Sequence, residues 1–217
     1  MEDQIIVQLD HAGIQLGDYH LSDVTLSIPY GYLIGVTGKK GAGKSTLMKL
    51  IMRHYNRYEG SIQVNGYDLR SQKKNVLDCI GFISEEQQFF EDRTAGDNGE
   101  LIGRYYSKWD HNCYRKMLHY FGMGEETILR TLSKGMWIKY QLAFAMAHHQ
   151  DLYLMDEPTG GLDPVFRLEF LKILQDLLST EDCSIVLSTH IQSDLERIAD
   201  YMITVKDHGA KIKEVER

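Results

Sequence analysis

The feature that most constrains this chain is a glycine-rich loop set between an apolar run and a helical segment. Residues 38–45 read Gly-Lys-Lys-Gly-Ala-Gly-Lys-Ser, which fits the pattern G-x-x-x-x-G-K-[ST]. The loop follows the apolar run Tyr32–Val36 and precedes a helix that we expect to begin at Lys44. This strand, loop and helix context is the one that the pattern requires, so the sequence predicts an α/β fold around a phosphate-binding loop.

The residue types of the loop indicate its chemistry. Glycines let backbone N–H groups converge on phosphate oxygens, and the positive end of the following helix adds to the attraction. We expect Lys44 to reach the β- and γ-phosphates and Ser45 to supply an oxygen to Mg²⁺. The predicted nucleotide-binding residues of the loop are Gly38, Lys39, Lys40, Gly41, Ala42, Gly43, Lys44, Ser45 and Thr46.

A second element consists of two adjacent carboxylates after an apolar strand. The run Leu152–Met155 leads directly into Asp156 and Glu157. In α/β sheets ligands bind at the carboxyl ends of the strands, which is where this pair falls. We therefore predict that Asp156 is a Mg²⁺ ligand and that Glu157 is the general base for an attacking water.

The rest of the chain indicates one α/β domain, residues 1–217, with a helical insertion. Residues 1–86 and 141–217 are predicted to form the catalytic core, and residues 87–140 a helical subdomain. A helix over Val165–Leu178 between two buried strands is typical of a βαβ unit. Strands are predicted at Ile5–Leu9, Val24–Ile28, Tyr32–Val36, Ser61–Val64, Ile80–Ser84, Leu152–Met155 and Ile185–Leu187, with a turn at Asn65-Gly66.

Composition excludes several classes of protein. A net charge of -7 does not supply the basic field that nucleic-acid binding requires, so no nucleic-acid partner is expected. The three cysteines are odd in number and far apart, which indicates buried, reduced thiols. There is no apolar stretch long enough to span a membrane, and the N-terminus Met1-Glu2-Asp3-Gln4 lacks the basic start of a secretory signal. We expect a cytoplasmic location.

Three further segments carry a resemblance to a known family. Leu132–Met136 resembles the signature loop of ABC ATPases, Gly160–Asp163 resembles their D-loop, and Ser188-Thr189-His190 resembles their histidine switch. The resemblance implies a P-loop NTPase fold with a mainly parallel sheet, an N-terminal antiparallel β element and an inserted helical subdomain. It also implies ATP hydrolysis with Mg²⁺, with His190 contacting the γ-phosphate and Asp163 near the nucleotide.

The family also implies a dimer in which each ATP lies between two subunits. Ser133 and Gly135 would then serve a nucleotide bound by the partner subunit, in a homodimer or a heterodimer. Lys134 replaces a glycine of the common signature, and the sequence leaves open whether it approaches phosphate or points outward. With Arg104–Asp110, this signature resembles the bacitracin, peptide and antibiotic exporter subunits. That resemblance implies a polytopic membrane permease as partner, and a peripheral location on the inner face of the cell membrane.

The chain departs from the family pattern at two places. The Q-loop glutamine is replaced by Glu85, which we expect to be a third Mg²⁺ ligand, with Gln87 and Gln88 as alternatives if the loop is shifted. The segment before Gly17 lacks the expected adenine-stacking aromatic, so Tyr19 is either its substitute or a plain strand-turn tyrosine. Lys139, after the signature, is predicted to be a solvated charge.

Two other functions use the same nucleotide chemistry. One is a soluble ABC ATPase acting on nucleic acid or ribosomes, but such proteins usually carry a long coiled-coil insertion or two linked cassettes, which this chain lacks. The other is a regulatory module that binds nucleotide without hydrolysing it, which the departures from the family pattern at Lys134 and Glu85 would favour. Intact Lys44, Asp156 and Glu157 favour hydrolysis.

Overall fold

The computed structural model describes residues 4–84, 86 and 88–216. A 3₁₀ turn covers Leu129–Thr131. The strands within the described residues are β1 (Ile5–Leu16), β2 (Tyr19–Pro29), β3 (Leu33–Thr37), β4 (Glu59–Val64), β5 (Tyr67–Asp68), β6 (Ile80–Ser84), β7 (Leu152–Asp156), β8 (Ser184–Ser188), β9 (Tyr201–Lys206) and β10 (Gly209–Glu214). The helices are α1 (Lys44–Ile51), α2 (Lys73–Asp78), α3 (Ala95–Gly103), α4 (His111–Tyr120), α5 (Lys134–Met146), α6 (Pro164–Thr180) and α7 (Gln192–Ile198).

The strands form two sheets. The smaller sheet is antiparallel with the order β2-β1-β4-β5, and the larger has the order β10-β9-β3-β8-β7-β6. In the larger sheet only the β9–β10 pair is antiparallel, since β3 pairs in parallel with β8 and β9, and β7 with β6 and β8. The predicted fold class, a mainly parallel α/β sheet with an N-terminal antiparallel element, is confirmed.

The larger sheet lies between two apolar cores because side chains of a strand alternate between its faces. In β7, Leu152 and Leu154 join the core shared with the smaller sheet and α1. Tyr153 and Met155 point the other way, into the core formed with α4, α5 and α6. Burial on both faces explains why the sequence of this strand is a continuous apolar run.

Buried polar contacts join the helices of residues 95–146 to the larger sheet. The Gln141 amide of α5 accepts a hydrogen bond from the Ser84 N–H at 3.1 Å and donates one to the Ser84 carbonyl at 2.9 Å. Within the helices, the buried Tyr114 hydroxyl donates to the Ala95 carbonyl at 2.8 Å. Because an unpaired buried polar group is costly, these bonds fix α5 against the end of β6.

The structure corrects several details of the sequence analysis. The hairpin strands β1 and β2 are longer than the predicted Ile5–Leu9 and Val24–Ile28, and α2, α7, β9 and β10 were not predicted. The prediction that Lys139 is a solvated charge is wrong. Its side chain is 17% exposed, and its ammonium nitrogen lies 2.8 Å from a Glu169 carboxylate oxygen and 5.3 Å from the Phe166 ring centre. A long lysine stem can cover apolar surface while its ammonium meets a carboxylate.

Two expectations concern the chain as a whole. Among the described residues, no helix combines the length and apolarity that crossing a membrane requires. The cysteines are free; Cys79 and Cys183 are buried, and burial raises the pKa of the Cys79 thiol to about 11. Cys113 is only half-buried, so the expectation of three buried thiols is wrong for that residue.

Candidate functional site

The glycine-rich loop runs from the end of β3 to the start of α1. Gly41 and Gly43 have φ values of 80° and 106°, a left-handed conformation that costs a side-chain-bearing residue more than glycine. The first turn of α1 has no side-chain cap. The leading N–H groups of a helix have no partner within the helix, and here no side chain caps them, so they are suited to an anion.

Lys44, the first residue of α1, lies between the loop and the acidic strand end. Its side chain is 8% exposed, and its ammonium nitrogen lies 3.2 Å from the Gly38 carbonyl oxygen and 3.6 Å from Glu157 Oε1. A nearly buried ammonium requires such partners. The structure thus brings together two of the predicted catalytic residues.

The strand end carries the acidic pair in two different environments. Asp156 Oδ1 accepts a 2.7 Å hydrogen bond from the Ser188 hydroxyl, which belongs to the neighbouring strand β8. Glu157 follows β7 with a φ of 51°, an uncommon value for a residue with a side chain. Its N–H contacts both the carbonyl and the hydroxyl oxygen of Ser188, at 3.2 and 3.0 Å. These bonds hold the conformation that turns Glu157 toward Lys44.

His190 completes this group of side chains. Its Nδ1 lies 2.7 Å from Glu157 Oε2, so an imidazole N–H donates to the carboxylate. Glu157 therefore has one oxygen on Lys44 and the other on His190. The arrangement can orient a carboxylate toward a water molecule beside a bound phosphate.

The oxygen donors available for Mg²⁺ are few. Within the described residues, no group of three or more His, Cys, Asp or Glu side chains could hold a metal by itself. Ser45 lies in the first turn of α1, which packs against β7, and Asp156 ends β7. A hydroxyl and a carboxylate that leave further positions to phosphate and water fit Mg²⁺. The predicted third ligand Glu85, like the alternative Gln87, lies outside the described residues.

Tyr19 lies against the glycine-rich loop. Its hydroxyl donates to the Ala42 carbonyl at 2.9 Å, and burial raises the pKa of this phenol. A Cβ atom at Gly43 would collide with the Tyr19 hydroxyl. Tyr19 therefore supports the loop, and it also borders a pocket beside Lys39 and Lys40.

The segment that resembles a signature loop begins α5. Ser133 is exposed and caps the helix, accepting a 3.3 Å hydrogen bond from the Met136 N–H. Gly135 lies against the Phe166 ring, which a Cβ atom would approach to 3.2 Å. The Lys134 ammonium lies beside Gly161, in the turn before α6, and Asp163 caps α6. Ser133, Gly135 and Asp163 remain predicted nucleotide contacts.

Ser188 is the site residue that sequence reasoning missed. In the sequence it is part of the Ser188-Thr189-His190 segment, which by itself predicts no role for this hydroxyl. The available signal was a hydroxyl at the end of an apolar strand, the position that Asp156 occupies on β7. Its importance becomes visible once the parallel register pairs Asp156 with Ser188.

Comparisons with known proteins identify the family. A family model described as ABC transporter matches residues 21–160, more than half of the chain. The ABC transporter ATP-binding protein YtrB of Bacillus subtilis is 28% identical over 89% of the chain and 66% of its own length. The bacitracin transport ATP-binding protein BcrA of Bacillus licheniformis is 28% identical over 88% of the chain and 62% of its own length. The chain thus spans a little under two thirds of these relatives.

Solved structures agree on the fold. The structure of an ATP binding subunit of an ABC transporter is similar with a TM-score of 0.85 at 24% identity, covering 97% of this chain and 90% of the other. A dimeric ATP-binding cassette in a post-hydrolysis state with ADP and Pi gives a TM-score of 0.82 at 19% identity, covering 97% and 99%. At such identities the likeness establishes the fold alone.

Proposed function

The chain belongs to the family of ABC transporter ATP-binding subunits, and from that premise we propose that it binds and hydrolyses ATP to drive a separate membrane permease. The observation that carries the proposal is the contact set around Glu157, with Lys44 on one carboxylate oxygen and His190 on the other. Phosphoryl transfer depends on positioning and charge neutralisation more than on covalent chemistry. A cation, a base and an orienting imidazole beside an anion-binding loop are the groups that it needs.

Each residue has one part in the proposed reaction. Lys44 and the loop N–H groups hold the β- and γ-phosphates, and Lys44 shifts from Glu157 toward the γ-phosphate. Glu157 accepts the proton of the attacking water, with its carboxylate oriented by His190. Ser45 and Asp156 would hold Mg²⁺, which supplies positive charge to the phosphate oxygens.

The second part of the site comes from a partner subunit, a homologue or a second copy of the chain. Ser133 and Gly135 then contact the nucleotide held by the partner, and Asp163 lies near the interface. The exposure of Ser133 at the N-terminus of α5 supports this, because that end of a helix attracts anions. The dimeric state of a similar cassette is consistent with such an arrangement.

The transported compound is proposed from the relatives. BcrA is named for bacitracin transport, and we assign this chain to export of a peptide, an antibiotic or another small molecule. Its location would be peripheral, on the inner face of the cell membrane, through the permease.

Purification of the tagged chain from its native membranes tests the transport part. The expected result is a stoichiometric, polytopic membrane protein that remains bound after detergent extraction. Co-purification of ribosomes or nucleic acid instead would refute the permease and support the soluble alternative.

A mixture of two inactive variants tests the shared site. Ser133→Arg and Lys44→Ala chains are each expected to be inactive alone. A mixed dimer keeps one complete site, formed by Lys44 of the first chain and Ser133 of the second, and ATPase activity should return in proportion to mixed dimers measured by mass spectrometry. Mixed dimers without activity would contradict the shared site. The control is Lys116→Ala, which also removes a lysine but from the exposed face of α4, and which should be active without mixing.

A further inference from the structure

A pocket of about 460 Å³ lies beside the glycine-rich loop. Tyr19 and loop residues 38–42 form one side, and residues 204–208, from the end of β9 and its turn, form the other. Its volume is in the range of sites for small organic ligands.

The direction of the nucleotide follows from the contacts of Lys44. This lysine contacts Glu157, the proposed base, so the terminal phosphate must lie on the Glu157 side of the loop. A phosphate chain that follows the loop N–H groups then leaves its nucleoside at the other end. The pocket beside Tyr19 and residues 204–208 borders that end of the loop.

His208 reaches this pocket from a strained turn. Asp207 and His208 form the two-residue connection between β9 and β10, with φ values of 49° and 66°. Turns with two left-handed residues favour asparagine and glycine, so histidine costs more than glycine there, although it adopts this conformation more readily than most residues. Strained residues persist when their surroundings hold them, and they often occur at binding sites.

Two contacts hold the imidazole of His208 in one orientation, and a third holds its backbone. Its Nδ1 lies 2.7 Å from the His20 carbonyl oxygen, and therefore carries the proton and donates. The two imidazole rings stack with centroids 4.1 Å apart and an angle of 6° between their planes. The Ser22 N–H donates to the His208 carbonyl at 2.8 Å. The turn is thus fixed to the β1–β2 hairpin.

We propose that His208 is a base-contacting residue, whose imidazole stacks against the purine base of the bound nucleoside triphosphate. The inference rests on the proposed ATP binding and adds the group that recognises the base. The ring centres of Tyr19 and His208 are 5.8 Å apart, and both residues border the pocket. The Tyr19 hydroxyl donates its hydrogen bond to the Ala42 carbonyl of the loop. His208 lines the pocket, and its stack on His20 supports the ring from behind, so His208 is the residue that meets the base.

The test compares ATP with inorganic tripolyphosphate, which has the phosphates but no base. His208→Gly removes the ring and suits the left-handed backbone, so the turn is kept. We expect this variant to bind ATP about tenfold more weakly, within the range for loss of one base–aromatic stack, and to bind tripolyphosphate unchanged in competition calorimetry. His208→Phe keeps an aromatic ring and should retain most of the ATP affinity. His119→Ala, which removes an exposed histidine of α4, should change neither affinity.

Two results would overturn the inference. Wild-type ATP affinity in His208→Gly would show that the base is bound elsewhere, and an equal loss for tripolyphosphate would show that His208 acts through the loop. The Lys44→Ala variant keeps this separate from the proposed function. If Lys44→Ala no longer binds ATP or tripolyphosphate while His208→Gly binds both normally, only the proposed base contact is refuted. If Lys44→Ala binds ATP normally, the proposed function itself fails.

Discussion

Replacing Ser188 with alanine removes one buried hydroxyl that contacts both members of the acidic pair. Its Oγ donates to Asp156 Oδ1 at 2.7 Å and accepts from the Glu157 N–H at 3.0 Å. The Glu157 N–H keeps the Ser188 carbonyl at 3.2 Å, so the main loss is the bond to Asp156. A hydrogen bond to a charged group contributes about 1.5–3 kcal/mol. Because Asp156 is half-buried, we expect the free energy of unfolding to fall by about 1–2 kcal/mol.

The more specific effect is on Mg²⁺. Once Oδ1 is released, the Asp156 carboxylate can rotate away from the position in which it would hold the ion. Loss of a residue that positions a metal ligand lowers metal affinity about 10–100-fold. We therefore expect the Mg²⁺ concentration that half-saturates ATPase activity to rise about tenfold. The assay is ATP turnover against Mg²⁺ at saturating ATP, with chemical denaturation of the same samples.

Two variants separate positioning from stability. Ser188→Thr keeps the hydroxyl and should retain the wild-type Mg²⁺ dependence. Ser184→Ala removes another fully buried hydroxyl of β8, which accepts from the Gly31 N–H at 2.8 Å; among the described residues, no carboxylate bonds to it. It should lower stability alone. If the Mg²⁺ curves of Ser188→Ala and wild type coincide, the assignment of Ser188 to the metal site is wrong.

Three further changes have definite expected outcomes. Glu157→Gln should lower turnover by about 10² to 10⁴ while ATP binding and ATP-dependent dimerisation in size-exclusion chromatography are kept, and near-wild-type turnover would place the base elsewhere. Gly43→Ala should weaken ATP binding at least about tenfold, because Gly43 has a φ of 106° and an added Cβ would clash with Tyr19. Gly66→Ala, in an open turn, should lower only stability. Equal ATP affinities of Gly43→Ala and wild type would contradict this reasoning. Burial lowers the pKa of His148 to about 3, so its contribution to stability is present above the unfolded pKa of 6.5 and is lost as pH falls below it. Between pH 7 and 5, the free energy of unfolding of His148→Phe should therefore fall by about 2 kcal/mol less than that of the wild type, as measured by urea denaturation. Equal decreases in the two proteins would refute the buried neutral state of His148.

Much of the fold was predictable because its signals are local. Ile80–Ser84 was predicted to the residue, and α6 within two residues, since an apolar run or a helical period is contained in one segment. β9 and β10 were missed because the two central residues of their turn, Asp207 and His208, are not the Asn-Gly or Asp-Gly pair that marks a two-residue hairpin. Lys139 was misjudged because its partners Glu169 and Phe166 come from another helix.

The phosphate loop, the acidic strand end and the order of the segments follow from the amino-acid sequence, because spacing along one chain encodes each of them. Which side chains meet depends on how the strands are ordered in the fold. Strand order places Ser188 beside Asp156, and the β9–β10 turn brings His208 to His20 from the far end of the chain. Such pairs depend on non-local strand pairing, which leaves no periodic signal in either segment.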